Sequence, residues 1–143
     1  MQVKIINRSQ NELPAHATPG ASGLDLKAHI PKPTILQPLQ RTLVATGLHI
    51  ALPKGFEAQI RPRSGLAHRH GITVLNSPGT IDPDYRGEIQ ILLINLGDQP
   101  FEINNGDRVA QLVISRVERI QWMYVNALDD TLRGQGGFGS TGI

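Results

Sequence analysis

The chain has 143 residues, a formal net charge of +2 and no cysteine. That length suits one domain with a real core. The scattered, nearly balanced charges call for neither a nucleic acid nor a membrane surface as partner, and the lack of thiols excludes disulfides and thiolate metal sites. The opening Met1-Gln2-Val3-Lys4-Ile5-Ile6 contains no long apolar segment, and no window approaches a membrane span, so a cytoplasmic protein is expected. With 15 glycines and 10 prolines the chain is built for many turns.

Residues 3–6 read as a short apolar strand, and residues 7–20, with Pro14 and Pro19, as irregular. In residues 24–30, Leu24, Leu26, Ala28 and Ile30 alternate with Asp25, Lys27 and His29. A period of two places Asp25 on the face away from the core, beside Gly23, where another group can come close. Pro31, Pro33 and Pro38 then break the chain. Residues 42–52 resume strand character, and Pro53-Lys54-Gly55 suits a type II turn. Phe56, Ala58 and Ile60 alternate beyond it, so an antiparallel pair across that turn is expected.

Pro62 ends that strand. Ser64 reads as the N-cap of a short helix from Gly65 to about Arg69, stopped by Gly71. Such a helix start offers free N–H groups to a phosphate, and Arg63 adds a guanidinium. The His68-Arg69-His70 run reads as a solvated helix end, with no second cluster at metal-ligand spacing to support it.

The central stretch is Gly79-Thr80-Ile81-Asp82-Pro83-Asp84-Tyr85-Arg86-Gly87-Glu88. It lies between two apolar runs, residues 71–75 and 89–96, and reads as a hairpin with a long polar loop. Such loops on a rigid scaffold commonly carry chemistry. Residues 89–96 are apolar on both alternations apart from Gln90 and Asn95, which predicts a strand buried on both faces, at a sandwich centre or a subunit interface. Phe101 and Ile103 mark a short strand, Asn104-Asn105-Gly106-Asp107 is a strong hairpin turn, and residues 108–117 form a further strand around Gln111. Residues 122–125 are a last strand candidate. From Arg133 onward the chain is glycine-rich and unable to bury enough surface to order itself. It could wrap a phosphate, with Phe138 free to stack on a base, and close as a lid.

Five stretches taken together carry a resemblance. Ala21-Ser22-Gly23-Leu24-Asp25-Leu26-Lys27-Ala28, Pro62-Arg63-Ser64-Gly65-Leu66-Ala67, Gly79-Thr80-Ile81-Asp82-Pro83-Asp84-Tyr85-Arg86-Gly87, Gly106-Asp107-Arg108-Val109-Ala110-Gln111-Leu112 and Arg133-Gly134-Gln135-Gly136-Gly137-Phe138-Gly139-Ser140-Thr141-Gly142 resemble the five ordered motifs of the trimeric dUTPase family. The resemblance implies an all-β, jelly-roll-like antiparallel sandwich with one short helix, residues 1–132, and a flexible tail, residues 133–143, that closes over the site. It implies a homotrimer with sites shared between subunits. The reaction would take dUTP and water to dUMP and pyrophosphate with Mg2+, keeping uracil out of DNA and supplying dUMP for dTMP synthesis.

On the same resemblance, Asp82 would orient and deprotonate the attacking water. A carboxylate is a weak base at neutral pH, so its contribution would come mainly from placement. Tyr85 would lie under the deoxyribose and leave no room for a 2′-hydroxyl. Asn76, Gly79, Thr80, Ile81 and Gln90 would read the uracil edge. Arg63, Ser64 and Gly65 would hold phosphates, Gln111 would contact the phosphates or the surroundings of the catalytic water, and Asp25 would act on magnesium through its waters. Arg133, Phe138, Gly139, Ser140 and Thr141 would close over the nucleotide. A second enzyme reading is dCTP deaminase, which shares the fold and needs a carboxylate such as Glu88 against the base. A non-catalytic β-sandwich would leave the five motifs without a common cause.

Overall fold

The structure is a computed structural model, and it describes residues 1–137. Among the described residues eleven strands and one helix follow the chain. They are β1 (Lys4–Asn7), β2 (Leu24–Lys27), β3 (Thr34–Leu36), β4 (Arg41–Ala45), β5 (Leu48–Ala51), β6 (Phe56–Arg61), α1 (Ser64–His70), β7 (Ile72–Val74), β8 (Gly79–Ile81), β9 (Gln90–Asn95), β10 (Phe101–Ile103) and β11 (Arg108–Arg116). Every pairing is antiparallel: β2-β11-β6-β8 form one sheet, β4-β9-β7 a second, and β1-β5 and β10-β3 two short ribbons. The expected all-β antiparallel architecture with one short helix is what the chain adopts.

The core is the sum of the alternating runs. Leu26 and Ala28, Leu48 and Ile50, Ala58 and Ile60, and Ile91 and Leu93 all point inward and are buried, joined by Leu36, Val44, Ile72 and Ile103 from the other strands. A period of two puts such residues on one face, and each large side chain so buried contributes about 1.5–3 kcal/mol of transfer free energy.

The local turn chemistry holds, while the pairings across two of the turns differ from expectation. Gly55 and Gly106 take the left-handed backbone at φ +83° and +87°. Yet β5 pairs with β1 while β6 pairs with β11 and β8, and β10 pairs with β3 while β11 pairs with β2 and β6. Both turns therefore hand the chain from one sheet to another instead of closing hairpins. The run 42–52 is likewise two strands, broken at Thr46-Gly47, where Gly47 has φ +70°. The proline-rich stretch contains β3, and residues 122–125 form no strand. Trp122 and Tyr124 are 83% and 99% exposed, with no neighbouring edge among the described residues to complete their hydrogen bonds.

Strand β9 is fully buried on only one face by its own chain, so the sandwich-centre alternative does not hold for it. Its inward row, Ile91, Leu93 and Asn95, is fully buried, but Leu92 and Ile94 on the other face are only half-buried and the neighbouring Leu43 is exposed. In the single chain one face is covered, not two. Asn95, at 0% exposure, uses its whole amide. Its Nδ2 donates to the Leu36 and Gln99 carbonyls at 2.9 and 2.8 Å, and its Oδ1 accepts the Gly97 N–H at 2.9 Å. Gly97 in turn lies against the helix C-cap: a Cβ on Gly71 would lie within contact range of the Gly97 backbone, so helix and β9 approach as closely as main chains can.

Replacing Asn95 by Ala strands three backbone groups near the core, at about 1–3 kcal/mol each before relaxation. We expect Asn95→Ala to lower the thermal midpoint by roughly 6–12 °C, measured at matched protein concentration; an unchanged midpoint would show that these bonds carry no net stability.

Candidate active site

The central stretch is both loop and strand. Residues 79–81 form β8, which pairs with β6 (Gly79 opposite Ile60, Thr80 opposite Gln59, Ile81 opposite Ala58). Meanwhile β7 and β9 pair with each other in the second sheet, Val74 opposite Leu93. The expected hairpin exists, but its loop crosses to the other sheet and is hydrogen-bonded there. Gly79 is buried, and a Cβ on it would lie 3.3 Å from Asn76 Nδ2 and from Ile60 Cβ, so glycine suits the crossing.

Beyond β8 the chain turns tightly, with the Tyr85 N–H donating to the Asp82 carbonyl at 3.2 Å. Pro83 stiffens this turn at its second position, where the fixed φ of proline is already correct. Arg86 Nη1 ties the turn down from behind, donating to the Pro83 and Tyr85 carbonyls at 2.7 Å each. The Tyr85 hydroxyl donates to the Glu88 carbonyl at 3.0 Å. Its ring lies over Gly87, where a Cβ would collide with the ring.

These residues surround a cavity of about 210 Å³. Thr80 and Ile81 of β8, the following Asp82 and Tyr85, Asn76 and Gly79, and Gln90 and Leu92 of β9 line it, together with Ile60, Val74 and Glu88. Because β8 is an edge strand, the backbone edge turned away from β6 has no strand partner within the sheet. All seven cavity residues expected from the sequence, Asn76, Gly79, Thr80, Ile81, Asp82, Tyr85 and Gln90, line it.

A second group lies on the opposite edge of the same sheet. Asp25, on β2, has a side chain only 16% exposed. Its Oδ1 accepts from Arg63 Nε at 3.2 Å and Gln111 Nε2 at 3.4 Å, and its Oδ2 from Arg108 Nη1 at 3.2 Å. Arg63 Nη1 also donates to the Arg108 carbonyl at 3.1 Å. The register sets Gln111 opposite Asp25, and Gly23 makes the space: a Cβ there would lie 3.0 Å from Gln111 Oε1. Asp25 does face away from the core as expected, but it is clamped by cations instead of solvated.

The helix start differs by one residue from expectation. Arg63 is the N-cap, with extended backbone, and Ser64 is the first helical residue and makes no side-chain cap bond. The Leu66 and Ala67 N–H groups bond the Arg63 carbonyl, and Gly71 closes the helix at φ +66°. Within one chain, Arg63, Ser64, Gly65, Gln111 and Asp25 do not line the cavity of Asp82. Strand order β2-β11-β6-β8 separates the two edges by roughly 14 Å at the usual strand spacing. Arg133 folds on itself, its Nε donating to the Gly136 carbonyl at 2.8 Å. Phe138, Gly139, Ser140 and Thr141 lie outside the described residues.

Sequence reasoning missed the contacts that two residues make. Arg108 reaches Asp25 because the β2–β11 register shifts between Arg108 and Ala110, an irregularity that no alternation pattern reveals. Glu88 carries a carboxylate that accepts the Gly47 N–H at 2.7 Å, a contact 41 residues apart in the chain.

Among the described residues no cluster of three or more His, Asp or Glu could hold a metal by itself. The donor set near Asp25 does fit a metal carried by a ligand. A carboxylate has about four acceptor positions, three are used, and one on Oδ2 is left for a water of a hydrated cation.

The dUTPase family model matches residues 9–142. The chain is 61% identical over 140 residues to the deoxyuridine 5'-triphosphate nucleotidohydrolase of Cytophaga hutchinsonii, covering 98% of this chain and 91% of that one. It is 51% identical over 142 residues to the enzyme of the same name from Finegoldia magna, covering 99% of each. In fold it is similar to the dUTPase of Staphylococcus bacteriophage 80alpha with dUpNHpp, at a TM-score of 0.84 and 21% identity over 99% of each chain. It is also similar to a D95N mutant dUTPase of phage phi11, whose structure describes a structural Mg(II) ion, at a TM-score of 0.79 and 19% identity over 91% of this chain and 100% of that one. With the family model spanning nearly its whole length, this chain belongs to the dUTPase family.

Proposed function

We propose that the chain hydrolyses dUTP to dUMP and pyrophosphate, by attack of a water on the α-phosphorus. The observation that carries this reading is the cavity between β8 and β9, with an edge-strand backbone on its wall and Asp82 and Tyr85 together at its mouth. Named nucleotidohydrolase relatives at 51–61% identity support the reaction class.

The cavity is sized for a base, not for a whole nucleotide. Free backbone donors and acceptors along β8, with Asn76 and Gln90, read the uracil edge. Cytosine exchanges a donor and an acceptor there and would leave buried groups unpaired. A 5-methyl group would have to displace wall atoms. Tyr85 supports the deoxyribose. Asp82, exposed at the rim, positions a water and takes its proton as the oxygen bonds to phosphorus. The bond to the β-phosphate oxygen then breaks and pyrophosphate leaves. Arg63, Ser64, Gly65 and Gln111 hold the phosphates. Asp25 would hold magnesium through its waters; that ion, when bound, neutralises charge and favours one triphosphate conformer.

The active form in this reading is a homotrimer. Support comes from the separation of the phosphate-holding residues from the Asp82 cavity within one chain, which a site shared between copies would remedy. The half-buried apolar row on β9, the exposed Leu43 beside it and the exposed Trp122 and Tyr124 supply surface for such contacts. Residues 1–132 form the body, and residues 133–143 close over the nucleotide, with Arg133, Phe138, Gly139, Ser140 and Thr141 on it. In this reading neither nucleic acid nor membrane is a partner, and the reaction is cytoplasmic, as the scattered, nearly balanced charges suggest. The deaminase alternative is weakened by Glu88, whose carboxylate is already engaged by the Gly47 N–H.

The direct test is pyrophosphate release from dUTP, dTTP, dCTP and UTP, with and without magnesium. We expect release from dUTP far above the others and dependent on the metal; ammonia from dCTP would replace the reading with deamination. Asp82→Asn should keep the fold and bind nucleotide while turnover falls about 10²- to 10⁴-fold, and unchanged turnover would remove Asp82 from the mechanism. A chain ending at Leu132 should melt as the full chain does but lose most activity, so full activity there would refute closure by the tail.

A further inference from the structure

We infer that Glu88 is a positioning residue that sets how strictly the site accepts deoxyribose over ribose, acting through Tyr85. The inference rests on the reading of Tyr85 as the support for the sugar.

Glu88 is gripped from two directions. Its side chain accepts the Gly47 N–H at 2.7 Å, and its carbonyl accepts the Tyr85 hydroxyl at 3.0 Å. The next residue continues the grip: the Ile89 N–H donates to the Leu48 carbonyl at 2.8 Å, and Thr46 Oγ1 donates to the Ile89 carbonyl at 2.7 Å. Thr46 is buried, so this bond forms away from competing water. The 46–48 segment is itself held in place. Gly47 sits at φ +70°, its carbonyl accepts the Arg8 N–H at 2.7 Å, and a Cβ on it would lie 2.7 Å from the Ser9 nitrogen. A path of direct bonds thus runs from the break between β4 and β5, through Glu88, to the phenol of Tyr85.

Little else fixes that ring. Tyr85 is 44% exposed and has Gly87 beneath it. Rejecting a ribose means denying space to one oxygen, and that needs a ring held to within about 0.5 Å. The phenol–carbonyl bond stops the ring from tilting away, and it holds only while the Glu88 peptide keeps its orientation. The Ile89 N–H, in the same peptide group, holds that orientation on the Leu48 carbonyl, and the Glu88 carboxylate, spent on the Gly47 N–H, fixes the other side of the residue and is not itself poised to act on substrate.

The test compares kcat/KM for dUTP and UTP in Glu88→Ala, Glu88→Gln, Tyr85→Phe and Tyr85→Leu, with thermal midpoints recorded alongside. Glu88→Gln retains an oxygen that can accept the Gly47 N–H and should keep the dUTP/UTP ratio. Glu88→Ala should lower it by roughly tenfold or more, through a gain for UTP and not only a loss for dUTP. A merely structural role would lower both substrates together and leave the ratio unchanged, which would overturn the inference, as would a ratio lost equally in Glu88→Gln. If Glu88→Ala does not fold, Tyr85→Phe decides, because it removes the same phenol bond and leaves the ring: a lowered ratio supports the inference and an unchanged one overturns it. Tyr85→Leu separates the two levels. An unchanged ratio there refutes Tyr85 as the sugar support and this inference with it; a ratio lost in Tyr85→Leu but kept in Glu88→Ala refutes the role of Glu88 alone.

Discussion

The pairing of Gly79–Ile81 with β6 is the constraint on which the site depends. The chain leaves the three-stranded sheet at Val74, is hydrogen-bonded to the four-stranded sheet through β8, and returns to the first sheet as β9. Asp82 follows directly on a strand, so its backbone inherits the rigidity of the sheet. Each ladder bond contributes only about 1 kcal/mol net, but the alternative, unpaired peptide groups next to buried Ile60 and Val74, is considerably worse. A loop tethered at both ends and stitched in the middle is prepared for chemistry before any ligand arrives, which is what electrostatic and positional catalysis require.

Charge is partitioned along the same sheet. At the β8 edge is a cavity lined by the exposed Asp82 and by Glu88, whose carboxylate accepts the Gly47 N–H. At the β2 edge, Asp25 gathers two guanidiniums and an amide. Without that carboxylate, Arg63 and Arg108 would repel each other; with it they stand side by side, and Arg63 also holds the Arg108 main chain. An arrangement of cations already ordered by a partly buried anion loses little freedom when a polyphosphate approaches, so its affinity is not eroded by ordering.

The parts of this legible in the sequence are those decided locally. Alternation placed Leu26, Ile50 and Ile60 inside, and steric logic placed positive φ at Gly55, Gly71 and Gly106. Asp82 and Tyr85 were legible because they sit three residues apart in one turn. Partnership was not legible. A turn reverses the chain, but which edge a strand then joins depends on apolar surface contributed by distant segments, so β5 and β6 part company. Strands of three residues, β3 and β8, are too short to show a period. Residues 122–125 have the composition of a strand but no edge to join within the described chain. Glu88 and Arg108 act through a break between two strands and a register shift, and neither leaves a signature in the order of residues.

The exposed segment after β11 has an optical consequence. Trp122 is the only tryptophan in the chain, and it stands in water. Its indole fluorescence therefore comes from a single place, remote from the crowded interior, and its colour registers whether that place is wet or dry. The molecule carries a built-in dye at that one exposed place, readable without attaching any label.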